Sequence, residues 1–242
     1  MTAPRFFVQR LDGTATLVRL SPEDSRHALR SLRLSPGDTV SLSDGEASVA
    51  RARIVREEDG LAVVEVLERT PVHREEPRVT VHLSPPKGDR LVWTTQKLAE
   101  LGVFELSLLR TERTVRGWEG TRAERVMSRL GIVAREAAMQ SRRPFVMRVS
   151  GPVALPEALR AGEAPKVMLW AASSRGLRDV LPDSATAVAL LVGPEGGFTD
   201  TEARAAEHAG GVLASLGEGI LRTETAAIVG AALVLARYGR LG

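Results

Sequence analysis

The chain contains no cysteine in 242 residues. That excludes a disulfide framework, a thiolate metal site and a cysteine nucleophile. Lysine is almost missing as well: Lys87, Lys97 and Lys166 are the only three, so arginine supplies nearly all the positive charge. Arginine binds phosphate in a bidentate fork and stacks on bases, so the bias has a chemical consequence. Aromatic residues make up only 4% of the chain. No apolar run is long enough to span a membrane, the stretch Ala226–Ala236 falling well short. The first residues, Met1-Thr2-Ala3-Pro4-Arg5, lack the apolar stretch of a secretory signal. The expected compartment is the cytoplasm, with no membrane partner and no metal.

What is present is charge, unevenly placed. The net charge is +3, yet residues 1–70 hold 10 basic and 11 acidic groups, 71–150 hold 15 and 9, and 151–242 hold 8 and 10. A basic middle third on a near-neutral chain is the footprint expected for contact with a nucleic-acid backbone.

Two halves differ in pattern. Residues 1–70 read as a small, mostly β unit. Strands are expected at Arg5–Val8, Thr39–Leu42, Ala47–Val55 and Leu61–Leu67, with a short helix at Pro22–Arg30 after a Ser21 cap. Asp44-Gly45 and Asp59-Gly60 mark the turns, and strands this short suggest a small barrel. Residues 71–77, bounded by Pro71 and Pro77, read as a linker. From residue 78 to 242 strands and helices alternate. Strands are expected at Val79–Leu83, Phe104–Leu109, Phe145–Val149, Val167–Ala171, Ala187–Val192 and Val212–Leu216. Helices are expected at Leu91–Leu101, Thr121–Gln140 and Ala226–Ala236. Such alternation predicts an α/β domain built on a parallel sheet.

The last two strands each run into a glycine-marked loop and then a helix. The first loop is Gly193-Pro194-Glu195-Gly196-Gly197, followed by Phe198 and by Thr199 and Glu202 in capping-box spacing. The second is Gly217-Glu218-Gly219-Ile220-Leu221-Arg222-Thr223-Glu224-Thr225. Neither is a dinucleotide fingerprint or a Walker A loop. On local physics alone they serve equally as two ordinary βα turns, where glycine permits positive φ. Ligands of open α/β sheets sit at the carboxyl ends of strands, so the pair also suggests one pocket made mostly of backbone N–H and C=O groups.

The whole strings point further. Val192-Gly193-Pro194-Glu195-Gly196-Gly197-Phe198, followed some twenty residues later by Leu216-Gly217-x-x-Ile220-Leu221-Arg222-Thr223-Glu224-Thr225-Ala226, resembles the C-terminal motifs of the knotted (SPOUT-type) RNA methyltransferases. Within them the chain resembles the 16S ribosomal RNA uridine N3-methyltransferases of the RsmE-like family. Four further blocks agree. Arg5-Phe6-Phe7-Val8, with His27-Ala28-Leu29-Arg30-Ser31-Leu32-Arg33, resembles that family's PUA-like RNA-binding domain. Ser31 stands where valine is usual, a departure expected to weaken a core position. Pro85-Pro86-Lys87-Gly88 and Gln96-Lys97-Leu98-Ala99-Glu100-Leu101-Gly102-Val103 resemble its lysine-led loop and the helix after it. Thr111-Glu112-Arg113 matches an arginine motif. Arg135-Glu136-Ala137-Ala138-Met139-Gln140-Ser141-Arg142 matches a helix end in which Met139 replaces the usual glutamate.

The resemblance implies a PUA-like β-barrel followed by a parallel-sheet domain with a deep trefoil knot, acting as a homodimer. It implies methylation of the N3 atom of a uridine in 16S ribosomal RNA of the small ribosomal subunit, with S-adenosyl-L-methionine as cofactor. The cofactor-binding residues implied are Leu191, Val192, Gly193, Pro194, Glu195 and Gly197 on one loop. On the other they are Leu216, Gly217, Ile220, Leu221, Arg222 and Thr225. Arg113 is expected at the uracil edge, where a cation stabilises the anion left when the N3 proton departs. Arg222 and Glu195 are expected to orient the methionine end and the substrate. Glu195 and Glu224 are candidate general bases, and each serves equally as a cap or loop acceptor. RNA contacts are expected from Arg5, His27, Arg30, Arg33, Lys87, Lys97, Gln140, Arg142 and Arg143. For Lys97 and Glu100 an (i, i+3) ion pair is the plain alternative, and for His27 a half-buried, capped histidine. Two other functions remain open at this point: a knotted methyltransferase acting on tRNA or ribose 2′-O, and a non-catalytic ribosome-assembly factor.

Overall fold

The structure is a computed structural model that describes residues 3–11, 16–87, 89–114 and 120–241, with Arg122 by backbone only. Met1, Thr2 and Gly88 of the expected motifs lie outside the described residues. The chain forms two compact units, Met1–Arg74 with Ala138–Val146, and Glu75–Ala137 with Met147–Gly242. The end of the long middle helix therefore belongs to the first unit.

In the first unit, strands β1 (Arg5–Phe7), β2 (Leu17–Arg19), β3 (Thr39–Ser43), β4 (Ser48–Glu58) and β5 (Leu61–Pro71) form one sheet in the order β1-β3-β4-β5-β2. β1 runs parallel to β3 and the other pairs are antiparallel. Alternation along β4 turns Ala50, Ala52 and Ile54 into a core with Phe6, Val40, Leu42 and Val64. Two register shifts along the β4–β5 hairpin, after Arg51 and after Ile54, mark bulges, which bend strands and raise their twist. Helix α1 (Pro22–Arg26) starts at Ser21, whose hydroxyl accepts from the Asp24 N–H at 3.1 Å. It then widens into a π-turn, His27–Ser31, where a plain helix to Arg30 was expected. Ser31 is exposed there, so its departure from valine weakens no core position.

The second unit is built on a six-stranded sheet in the order β11-β9-β10-β6-β7-β8, parallel throughout. Its strands are β6 (Arg78–Leu83), β7 (Glu105–Arg110), β8 (Arg148–Ala154), β9 (Lys166–Leu169), β10 (Ala187–Val192) and β11 (Val212–Ala214). The helices are α2 (Arg90–Leu101), α3 (Gly120–Gln140), α4 (Leu155–Arg160), α5 (Leu177–Val180), α6 (Asp200–His208) and α7 (Thr223–Arg237). β10 alternates its faces as a strand must. Leu191 joins a core with Leu155, Phe198 and Ala203, drawing in α4 and α6. Leu190 faces α7, where a Cβ on Gly230 would lie 3.5 Å from Leu190 Cδ1 and 3.1 Å from Leu169 Cδ1. Glycine at that position is what lets α7 lie close against the sheet.

One expected strand is displaced. Phe145–Val149 was expected, but β8 begins at Arg148 and runs through Gly151 and Pro152 to Ala154. Phe145 instead bridges Gly45 in the first unit, with the Arg74 guanidinium 4.4 Å above its ring. Proline is tolerated in β8 because this is the edge strand, where its missing N–H leaves no ladder bond unmade.

Candidate functional site

The carboxyl ends of β9, β10 and β11 open into a cavity of about 530 Å³. Both glycine loops wall it. From the first come Val192, Gly193, Pro194, Glu195, Gly196, Gly197 and Phe198; from the second Leu216, Gly217, Gly219, Ile220, Leu221 and Arg222. Positive φ at Gly197 (67°) and Gly217 (126°) gives the local reason for glycine at those two turns. The floor was not expected from the sequence: it is Leu169, the last residue of β9, with Trp170, Ala171 and Ala172 after it, and β9 lies between β11 and β10. The signal was available, since ligands gather at strand ends and Val167–Ala171 was already recognisable as a strand.

Two expected cofactor residues do not reach the cavity. Leu191 is fully buried on the opposite face of β10, among Phe198 and Ala203. Thr225 is not on the wall; Thr223 and Ala226, three residues apart on one side of α7, are. The α7 N-terminus thus meets the cavity, and a helix N-terminus favours an anionic group.

Arg113 lies on the wall. Its Nη1 donates to the carbonyls of Gly196 (2.5 Å) and Phe198 (3.3 Å), so its guanidinium is tied to the first glycine loop. The turn carrying it is held by hydroxyls. Thr114 Oγ1 accepts from the Thr111 N–H at 2.8 Å and bonds Thr111 Oγ1 at 2.8 Å and the buried Ser84 Oγ at 2.7 Å.

The acidic candidates separate. Glu195 sits on the wall, and its Oε1 accepts the Lys87 N–H at 3.0 Å. Burial pushes its carboxyl up. The backbone N–H groups of Lys87 and Glu195 itself outweigh that, with the Lys87 and Arg90 charges, and hold it below the ordinary carboxylate value. Glu224 does not line the cavity. It is buried in the first turn of α7 with Oε1 3.4 Å from Arg90 Nη1, and Oε2 has no hydrogen-bond partner.

The expected RNA contacts fall in two groups. Lys87 is exposed, and its backbone touches the glycine loop through Glu195. Lys97 Nζ donates to both carboxylate oxygens of Glu100, at 2.8 and 2.9 Å, the ion pair that was the plain alternative. The others belong to the first unit. Arg5 is hydrogen-bonded within it: its Nε donates to Ser41 Oγ (3.2 Å) and its Nη1 to the Arg142 carbonyl (2.5 Å). Burial and the Arg142 charge both push its pKa down. His27 is exposed and edge-on to Phe6, with ring centroids 6.3 Å apart, and Arg30 and Arg33 are exposed beside it in sequence. Gln140 and Arg142 are exposed and Arg143 half-buried. Met139 packs against the first unit's core, which is what a methionine does there and a glutamate would not.

Comparison with known proteins agrees with this geometry. Residues 74–235 match the model of an RNA methyltransferase domain and residues 20–67 that of an RNA methyltransferase PUA domain. The chain is 33% identical over 236 residues to a ribosomal RNA small subunit methyltransferase E of Mycobacterium bovis, covering 95% of this chain and 90% of that one. Its identity to the protein of the same name from Bacillus subtilis is 28%, covering 92% of each. Among solved structures it is similar to a methyltransferase of Legionella pneumophila in complex with the bound cofactor SAM: TM-score 0.88, 31% identity, 98% of each chain. A ribosomal RNA small subunit methyltransferase E of Neisseria gonorrhoeae bound to S-adenosyl methionine gives TM-score 0.87 and 30% identity, covering 97% of this chain and 98% of that one.

Proposed function

This chain belongs to the ribosomal RNA small subunit methyltransferase E family of RNA methyltransferases, and from that premise we propose that it methylates the N3 atom of a uridine in 16S ribosomal RNA with S-adenosyl-L-methionine. The observation that carries the proposal is the single cavity of about 530 Å³ walled by both glycine loops, with Arg113 and Arg222 on its rim. That volume lies in the range of small-ligand sites, and its glycine-rich wall suits an adenosine held without a metal.

S-adenosylmethionine supplies an electrophilic methyl group on a sulfonium. In this reading the Gly193–Gly197 and Leu216–Leu221 loops hold adenine and ribose through backbone groups. Arg222 and the α7 N-terminus take the carboxylate of the methionine end. Arg113 faces the uracil carbonyls and stabilises the anion formed as N3 loses its proton. Glu195, held ionised and acidic, is a poor proton acceptor for so weak an acid. We therefore assign it to fixing the Lys87 loop, with the N3 proton leaving to solvent. Glu224, turned to Arg90, is assigned to anchoring α7 on α2. Because an N3 edge is hidden by pairing, the uridine must be presented single-stranded or flipped. His27, Arg30, Arg33, Gln140, Arg142 and Arg143 of the first unit, with Lys87 of the second, are proposed to hold the surrounding RNA. The reading also includes the trefoil knot, a cytoplasmic location and a homodimer in which a second copy completes each site.

The test combines purified protein, S-adenosylmethionine and small ribosomal subunits lacking the modification, followed by digestion and mass spectrometry of the nucleosides. 3-Methyluridine is the expected product. A different methylated nucleoside overturns the N3 assignment, and none at all, with cofactor bound, overturns the substrate.

A further inference from the structure

The helix after the first glycine loop carries more hydrogen bonding than a cap needs. A capping box requires two bonds, and both are present: the Glu202 N–H donates to Thr199 Oγ1 (3.2 Å) and the Thr199 N–H to Glu202 Oε2 (2.8 Å). Ordinarily the second carboxylate oxygen faces solvent and the threonine hydroxyl needs no acceptor. Here Glu202 Oε1 accepts the Glu112 N–H at 2.8 Å, and Thr199 Oγ1 donates to Glu112 Oε2 at 3.1 Å. The four bonds close a ring between the start of α6 and the turn after β7.

Glu112 immediately precedes Arg113, whose guanidinium holds the carbonyls of Gly196 and Phe198. Two adjacent residues of one turn therefore grip four residues of the other segment: Gly196, Phe198, Thr199 and Glu202. That segment continues from the cavity wall. We propose that Glu112, Thr199 and Glu202 are positioning residues that carry the state of the Gly193–Phe198 loop to Arg113, so that filling the cofactor cavity fixes the substrate-side arginine. The proposal rests on the reading that the cavity takes S-adenosylmethionine and that Arg113 meets the substrate. Glu112 touches neither; it acts through Arg113. Because Glu112 is exposed, its replacement leaves the core intact.

The experiment is hydrogen–deuterium exchange of the full chain with and without S-adenosylmethionine, read at the 111–114 amides. Alongside it run cofactor titration and methyl transfer, on wild type, Glu112→Ala, Glu112→Gln and Glu202→Gln. In wild type the cofactor slows exchange across this turn. Glu112→Ala loses that slowing and loses about tenfold or more in kcat, the scale of one hydrogen bond to a charged group. Cofactor affinity and the RNA KM stay within about threefold, since uniform binding is untouched. Glu112→Gln keeps an acceptor for the Thr199 hydroxyl and restores both readouts. Glu202→Gln keeps the helix cap, because glutamine serves at that position, yet has one acceptor oxygen too few for Glu112 and loses the slowing. Equal slowing in wild type and Glu112→Ala overturns the proposal, as does a glutamine variant no better than alanine or a wild type with no slowing at all. If the slowing follows the expected pattern while no methylated uridine forms, the coupling stands and the substrate assignment fails instead.

Discussion

Replacing Gly193 by alanine tests whether this glycine is required by space rather than by backbone freedom. A Cβ built there lies 3.1 Å from both Cδ2 and Cε2 of Phe198 and 3.2 Å from its backbone N. Ordinary contacts run several tenths of an ångström longer, so ring or loop must give. The ring is poorly placed to do so: Phe198 is 3% exposed and packed among Leu109, Leu191 and Ala203. Overpacking of this kind costs about 1–3 kcal/mol, a fall of roughly 2–4 °C in melting temperature per kcal/mol at this chain length. The displaced loop is the cavity wall, so S-adenosylmethionine binding should weaken about tenfold, equivalent to roughly 1.4 kcal/mol. The assays are urea unfolding followed by tryptophan emission and cofactor titration by calorimetry; Trp93 and Trp170 belong to the second unit, so their emission follows it. Gly197 is the control, with φ at 67° and no atom within 4 Å of a built Cβ. There, asparagine should be tolerated better than alanine because it accepts the left-handed region, whereas at Gly193 asparagine should be worse than alanine. A Gly193→Ala protein with wild-type midpoint and affinity would refute the packing argument outright.

Arg113→Ala should cut kcat by roughly 10²–10³, the usual loss of one electrostatic stabiliser. It should also weaken cofactor binding a few-fold, because the same guanidinium holds the Gly196 and Phe198 carbonyls; unchanged cofactor affinity, measured by calorimetry, would show that those two bonds do not order the loop. Met139→Glu, which restores the residue usual in the family, should destabilise the first unit by about 1–3 kcal/mol, because Met139 packs on its core; hydrogen exchange of β3 and β4 amides reads that loss, and unchanged protection counts against it. His82 gives a pH signature: burial holds its imidazole below the ordinary value, opposed by the Glu105 charge and aided by that of Lys166. The unfolded chain therefore takes up the proton first, so the full contribution to stability is present above roughly pH 6.5 and is lost as pH falls below it, by up to about 1.4 kcal/mol per pH unit. His82→Leu should flatten this slope between pH 7 and 5 in urea midpoints, and also relieve the unpartnered Nδ1; an unchanged slope would assign the dependence to another group.

The strands most legible in the sequence are those buried on both faces. Ala187–Val192 is an unbroken apolar run and coincides with β10 residue for residue. The Thr199–Glu202 capping box was equally visible, because a cap is a local event and its spacing is its mechanism. Long-range choices were not legible. Phe145 and Val146 look like the start of a strand, yet Phe145 is claimed by Gly45, a hundred residues back along the chain, and by Arg74, seventy-one residues back. Conversely, Gly151 and Pro152 argue locally against the strand that contains them, and only the edge position of β8 resolves this. Gly151 is needed there, since a Cβ would lie 2.6 Å from the Leu108 carbonyl oxygen.

The same distinction explains what could be read of the site. Two glycine loops some twenty residues apart suggest two neighbouring strands, but β11 and β10 are not neighbours: β9 runs between them. The gap between the loops is therefore one strand wide, and the end of that strand supplies the floor, with Trp170 and Ala171. A pocket so made takes its walls from two glycine-marked loops and its floor from a segment with no motif of its own. The charged side chains of its lining are Arg113, Glu195 and Arg222. Of the two glutamates that resemble catalytic bases, one has its carboxylate engaged by the Lys87 N–H and the other lies behind the wall against Arg90. In the proposed reading the carboxylates hold loops and helices in place, and the arginines are left to meet the substrate.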